Sequence, residues 1–474
     1  GTIRSSGDVN LYGAVSGATF QIDKALNIKQ ALGDAPAKPS VVNIKNEDGT
    51  LKWTDGVFTS GWAANMSGAD GGSYLTSASG YETDKTESGE LYCKKVGHKE
   101  GSHPVCGAEC AHDTKHDGVE WQEISKWSEI QNKDDSAVLT DGHYCLTQDI
   151  SAGQHAKLYI RGNVDLCLNG YTLQFNTIYN SCIHVESGTL NICDCVGTGK
   201  ITGGRGKTVY DDATQEVNYY GGAIWMAENT KVNLYGGDIT GNEAHFGNAV
   251  YVPKNAVFTM YGGALSDNTT NAASADKDSS VGTQYPGKLY AKGGAVYVDG
   301  GSFVMNGGVI SGNSTYTANE DKTTALNDGG GAVYVNGGGS FTMNGGTMTG
   351  NSAGPYGGGS NTSWDFGGCG VRVFNGTFTM NGGEFDKQDD AVQVDASGVF
   401  QFNGGSMTNG GECAYCRRYG TGETQKAGHS SYLWFTGGKA SMADGASIST
   451  NSANSNSMYT AVLNGGTFTM SGGS

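Results

Sequence analysis

The sequence predicts an all-β fold, a right-handed parallel β-helix with three strands per coil, on three observations. One unit recurs from Gly221 onward: a GGAVYV-type segment, a GSFTM-type segment, an NGG turn, and a short strand ending in Gly-Asn. Within each segment the side chains alternate with period two, so Val296 and Val298 face one side while Ala295 and Tyr297 face the other. The unit repeats without reversing through hairpins, so equivalent strands must stack in parallel, about 4.8 Å apart, coil upon coil. About ten coils at that spacing give a rod on the order of 50 Å.

In chain order, residues 1–90 are polar and weakly patterned, and short apolar runs such as ATFQI and VFTSGW read as a small β-rich cap or an irregular region. Residues 91–120 gather cysteines and histidines with almost no apolar residues. Residues 121–474 form the helix, whose early coils are read in LYIRG, VDLCLNGYTL, CIHVESGTLNICDC and GKITGG. Further on, the first strand lies at 221–226, 247–252, 293–298, 330–335 and, more loosely, 389–394. The second centres on 258–260, 303–305, 341–343, 378–380 and 468–470. Stacked phenylalanine and methionine columns, with a third column of Ile239, Leu265, Ile310, Met348, Phe385, Met407 and Ile448, fill the expected core. Glycine pairs after the second strand, as in Asn306-Gly-Gly and Asn344-Gly-Gly, fit corners that need positive φ.

Asparagine closes the third strand as Asn242, Asn268, Asn313, Asn351 and Asn451, either as a side-chain amide ladder at a bend or as isolated turn residues. Insertions of varied length, near 205–220, 269–292, 315–328, 353–367 and 410–430, fall between the third strand and the next first strand. They are expected to line one edge, the common place for a variable binding face. The last residues, GGTFTMSGGS, stop within a coil, so the columns led by Phe468 and Met470 are expected to be covered by further coils or by another copy docking end to end.

The 78 glycines follow no every-third-residue period and the prolines number only 6, which excludes collagen. With 47 acidic against 30 basic residues the formal charge is -17, which repels phosphate backbones and anionic headgroups and argues against nucleic acid as a partner. No apolar run approaches the roughly 18 residues of a membrane span, so no direct span is expected in this segment. The opening GTIRSS lacks the basic and apolar regions of a signal peptide. The 11 cysteines cannot all pair within one chain, so at least one is a thiol, a metal ligand or intermolecular.

The paired motifs GGAV and Phe-x-x-Asn, the latter at 303–306, 341–344 and 378–381, resemble the repeats of chlamydial polymorphic membrane proteins, which are adhesins. The stretches LCLNGYTL and NICDC, followed by MNGG turns, are similar to large β-helix proteins on the Gram-positive surfaces of gut Firmicutes. This likeness covers the chain from about Leu91 onward. It implies an extracellular, cell-surface location and adhesion, although no sorting signal or autotransporter barrel accompanies it.

Several groups of residues carry candidate chemistry. Cys93, His98, His103, Cys106, Cys110, His112 and His116 offer thiolate and imidazole ligands for a structural zinc, with disulfides and a plain loop as the other readings. A catalytic zinc is disfavoured because no glutamate stands in an HExxH-type arrangement. Cys145, Cys167, Cys182 and Cys193 fall in strands of neighbouring coils, as buried small hydrophobes or as disulfides between coils. Cys413-Ala-Tyr-Cys416 reads as a local disulfide in a loop.

An outward stripe of Trp225, Tyr251, Tyr297 and Tyr334 runs on through Arg372, Gln393 and Trp434 on the first strand. Stacked rings there would bind sugar faces or a protein partner; the alternatives are an exposed ladder that stabilises the sheet or rings covered by the N-terminal region. Tyr285, Tyr316, Tyr356, Trp364 and Tyr415 would stand on the insertion edge. For catalysis, Asp389-Asp390 resembles the paired aspartates of polygalacturonases. Yet the pair occupies the place of a Gly-Gly turn, the GHG and RIK motifs of that family are absent, and only His245 and Arg372 offer themselves as substitutes. Calcium, which lyases of this fold hold with clustered aspartates, is the other cofactor considered, but the acidic residues here are scattered among loops. The sequence therefore favours a non-enzymatic bacterial surface protein, an adhesin or a stalk or filament segment. Its partners would be a host or neighbouring-cell glycan or protein, or copies of itself end to end. The alternative is a polysaccharide lyase or glycoside hydrolase of β-helix type.

Overall fold

The computed structural model describes residues 121–132, 134–211, 216–270, 289–315, 325–353, 370–387, 391–408, 430–435, 437–449, 458–463 and 465–473, and, as backbone, seven strands between residues 9 and 95. The chain forms two compact units. In the N-terminal unit Val9–Gly13, Val41–Asn46 and Ala63–Ser67 stack in parallel, as do Phe20–Ile22 and Leu51–Trp53. Leu91–Lys95 runs antiparallel to both Ala63–Ser67 and Tyr81–Lys85. This region is β-rich, and its parallel stacking begins before any repeat is visible in the sequence.

The second unit is a parallel β-helix. Its third strands form one ten-stranded parallel sheet that runs from Ile150–Ala152 to Ala446–Ile448. First and second strands are continuous in the early coils, as in Lys157–Cys167 and Ile183–Cys193, where a register shift after Ile160 marks the bend. In the next coils a turn divides them, as between Ile224–Met226 and Lys231–Leu234. Asn229 and Asn255 take positive φ there (64° and 61°), and Gly300 and Gly337 do so in the coils that follow. Asparagine and glycine are the residues that tolerate this conformation.

Because parallel coils stack in register, each repeat position becomes a column. Phe258, Phe303, Phe341, Phe378 and Phe400 form one stack, with centroids 5.0, 4.6, 4.7 and 4.9 Å apart and planes within 14° of parallel. Met260, Met305, Met343 and Met380 are buried beside them. The third column is buried from Ile239 to Met407, and Ile448 is half-buried. Past Phe400 the phenylalanine column passes through Ala440 to Phe468, a gap the repeat pattern does not reveal.

The asparagine ladder forms. Asn242, Asn268, Asn313 and Asn351 are fully buried, and each Nδ2 donates to the Oδ1 of the next at 3.0, 2.9 and 2.9 Å. The same oxygens accept the backbone N–H of the preceding asparagine at 3.1 Å, so the side chain satisfies a bend that would otherwise bury unpaired amides. Asn451 lies outside the described residues. A second ladder, unforeseen in the sequence, links the exposed turn residues Asn306, Asn344, Asn381 and Asn403 at 2.8–2.9 Å.

The first coil is closed by a single helical turn, Trp127–Ile130. The Glu129 carboxylate accepts hydrogen bonds from the Ser125 and Lys126 amides and the Ser125 hydroxyl, which fixes the turn. Trp127 then lies buried with its edge on Phe175 at 5.4 Å, and its Nε1 donates to Asp135. An apolar ring with one polar atom suits this place, because it covers the core while its N–H finds a partner.

Candidate binding face

The outer face of the first-strand sheet carries a single in-register column. Successive pairings place Tyr159, His184, Trp225, Tyr251, Tyr297, Tyr334, Arg372, Gln393 and Trp434 one above another. The stripe foreseen from Trp225 onward is therefore a true column, and it begins two coils earlier. Tyr159 and His184 sit in coils that lack the GGAV motif, and only their apolar-polar alternation within LYIRG and CIHV signalled them.

The middle of the column points outward, as expected, but it is roofed. Tyr297 and Tyr334 are only 5% and 1% exposed. The ends of the insertions stack in parallel as well, through bridges from Tyr220 to Phe246 and from Phe246 to Lys292. That places Tyr220 4.9 Å from Tyr251 and Phe246 5.5 Å from Tyr297, while the Lys292 ammonium lies over Phe246 and Tyr334. Polar bonds lock this layer: Tyr251 donates to Asp299, and Asn336 donates to the Tyr297 hydroxyl at 3.1 Å. Burial, and then the Asp299 charge, push both phenols upward, so they remain neutral donors and acceptors. Below them Arg372 is held by Asp395, Nε to Oδ2 2.7 Å, with both side chains 12% exposed.

The upper end differs. Tyr159 and Trp225 are half-buried and Arg161 is exposed, with its guanidinium 5.4 Å from the Tyr159 ring and 2.6 Å from the Glu186 carboxylate. Lys207, from the hairpin Lys207–Asp211 with Glu216–Tyr220, sets its ammonium 3.2 Å above the Trp225 ring centroid. His184 lies between Tyr159 and Trp225 with ring centroids at 5.2 and 5.8 Å, is 4% exposed, and has no partner for Nε2. Burial, followed by the charges of Lys207 and Lys157, holds it neutral with a pKa of about 3.

A small pocket opens nearby at the insertion edge, lined by Tyr179, Arg205, Tyr219, Glu243 and His245. The Tyr219 and His245 rings meet edge-on at 4.8 Å, and Arg205 lies 3.6 Å from Glu243. Burial holds His245 neutral, with its pKa lowered to about 4. His245 and Arg372 are not brought together: the column positions from Tyr251 to Arg372 span three steps, roughly 14 Å at the strand spacing. The residues that do accompany His245 come from the same corner of three successive coils, and the repeat pattern does not reveal which of them meet.

Cys145, Cys167 and Cys193 stack in register as buried thiols on the outer side, while Cys182 lies in the core. Burial pushes the Cys145 thiol up to about 12, which makes it a poor nucleophile. Among the described residues no group of three or more His, Cys, Asp or Glu side chains is placed to hold a metal. Cys93 lies on the strand Leu91–Lys95, of whose side chains nothing is described, and His98, His103, Cys106, Cys110, His112 and His116 lie outside the described residues. So do Tyr285, Tyr316, Tyr356, Trp364, Asp389, Asp390, Cys413, Tyr415 and Cys416, and only the backbone of Trp434 is described. No protein-family model, curated protein or solved structure matches the chain.

Proposed function

We propose that this chain is a non-enzymatic, extracellular surface protein of a bacterium, whose β-helix holds a binding face away from the cell as an adhesin or stalk. One observation carries the reading: the half-exposed rings Tyr159 and Trp225 with cations beside them at one end of a rigid column. Flat rings on a stiff sheet lose little freedom when they meet a partner, which suits binding. The likeness of the GGAV, Phe-x-x-Asn and LCLNGYTL motifs to surface β-helix proteins points the same way. A zinc tied by residues of 93–116 belongs to this proposal as a structural staple. No helix among the described residues is long and apolar enough to cross a membrane.

The experiment is retention of the whole purified chain on immobilised glycans and on cells, beside a screen of pectins and other uronic-acid polymers for cleavage. Retention without cleavage is expected. A second reading, a carbohydrate-active enzyme, rests on the pocket of Arg205, Tyr219, Glu243 and His245. Cleavage that vanished in His245→Asn or Asp390→Asn, with the fold retained, would replace the first reading with the second.

A further inference from the structure

We propose that the upper end of the ring column, where Lys157, Tyr159, His184, Trp225 and Lys207 converge, is a subsite for a carboxylate-bearing sugar unit of a polysaccharide. The inference rests on the adhesin reading and names the ligand class for it.

Charge is the first ground. The whole chain carries a formal -17, yet Lys157, Tyr159 and Arg161 alternate along one strand and so share its outer face, with Lys207 alongside. Glu186 is engaged by Arg161 at 2.6 Å. Lys157 and Lys207 make no ion pair among the described residues, and the carboxylate that acts on Lys207, Glu186, is already bound by Arg161.

Chemistry of the neutral groups is the second. His184 Nε2 is a buried nitrogen with no hydrogen-bond partner, while the ring's other nitrogen bonds the Ser181 backbone. Nε2 is therefore left as an acceptor, and an acceptor that burial has stripped of water calls for a donor. A sugar hydroxyl is such a donor, whereas a bare sulfate ion brings none. Trp225 and Tyr159 offer ring faces for the C–H surface of the same sugar.

Lys207 links the two grounds. Its ammonium now lies on the face of Trp225 that a sugar ring would take. A carboxylate draws the ammonium off the ring into a charge-assisted hydrogen bond, which is stronger than the cation–π contact it leaves. That movement uncovers the indole face beside His184. A neutral sugar has nothing to draw the lysine away, so the arrangement selects for acidity.

Affinity electrophoresis of the full chain through gels containing hyaluronate, dextran sulfate or dextran tests this. Retardation is expected in hyaluronate and not in dextran. Lys207→Met, which keeps the apolar stem on Trp225 and removes only the charge, should weaken hyaluronate binding roughly tenfold, the worth of one charge-assisted hydrogen bond. Lys157→Ser should weaken it similarly, and both variants should unfold at the parent temperature. Equal retardation in dextran, or in dextran sulfate alone, would overturn the carboxylate assignment while leaving glycan binding in place. Adhesion to cells that persists undiminished in Lys207→Met, with no hyaluronate binding by the parent chain, would remove the subsite and leave the adhesin reading standing. Depolymerisation of hyaluronate would overturn both.

Discussion

Asn313 shows how much one side chain does at a bend. Its Nδ2 donates to the Leu265 and Ser311 carbonyls and to Asn351 Oδ1, while its own Oδ1 accepts the backbone and side-chain N–H of Asn268. Alanine there takes the acceptor from the buried Asn268 amides on one neighbouring coil and a donor from Asn351 Oδ1 on the other. Asn313→Ala should cost about 3 kcal/mol. Asn344→Ala, in the exposed ladder where water replaces the lost bonds, should cost about 0.5 kcal/mol; urea unfolding of the two variants gives the comparison. The buried histidines set the response to acid. His184 and His245 have folded pKa values of about 3 and about 4. The unfolded chain protonates near 6.5, so above that pH neither state binds the proton and stability is unaffected. Below it only the unfolded state does, and stability falls by about 1.4 kcal/mol per pH unit for each histidine. Burial raises Asp238 and Asp299, which act in the opposite sense: the folded state takes their protons first, and acid favours it there. The net expectation is a urea midpoint that falls between about pH 6.5 and about pH 5, with a shallower slope in His245→Phe.

The turn that recurs as Asn-Gly-Gly leaves no room for a Cβ at either glycine and needs positive φ at the second. Gly346 has φ 90°, which a side chain resists. Gly345 does not, but a Cβ there would lie 2.6 Å from the Asn306 carbonyl oxygen of the coil beneath. Positive φ, the reason expected for both, applies to the second alone. Gly346→Ala should cost more than Gly345→Ala, because its Cβ would add a positive-φ cost of about 1–2 kcal/mol to a contact of 2.7 Å with the Gly308 carbonyl oxygen. Thermal unfolding of the two variants will show the order. A separate element, residues 93–116, is expected to carry one zinc per chain. Elemental analysis of protein purified without chelating columns measures it, and metal-free protein with oxidised cysteines would end the proposal.

At the scale of the molecule, a solenoid touches itself only through neighbouring coils, so its stability is a sum of local terms. Trp127 closes the first coil over Phe175 and has no equivalent further along the described repeats. Trp127→Ala should therefore loosen the early coils and leave the middle intact. Hydrogen exchange is the measurement: protection should fall over 136–175 and persist over 296–380. Loss spread evenly along the helix would show that the coils unfold as one unit.

The repeat by itself determined the architecture, because in-register parallel stacking turns sequence periodicity directly into columns. Phe303 above Phe258, the buried asparagine ladder and the first-strand stripe follow from that geometry with no knowledge of tertiary contacts. Only the folded chain decided what covers the stripe. Tyr220, Phe246 and Lys292 come from insertions of unequal length that have no place in the repeat, so their positions over Tyr251, Tyr297 and Tyr334 depend on stacking between corners. The same holds for Lys207 on Trp225 and for the meeting of Arg205, Tyr219 and His245. Periodicity fixes which face a strand residue takes, but exposure depends on whatever else is packed upon that face, and such packing has no period to read.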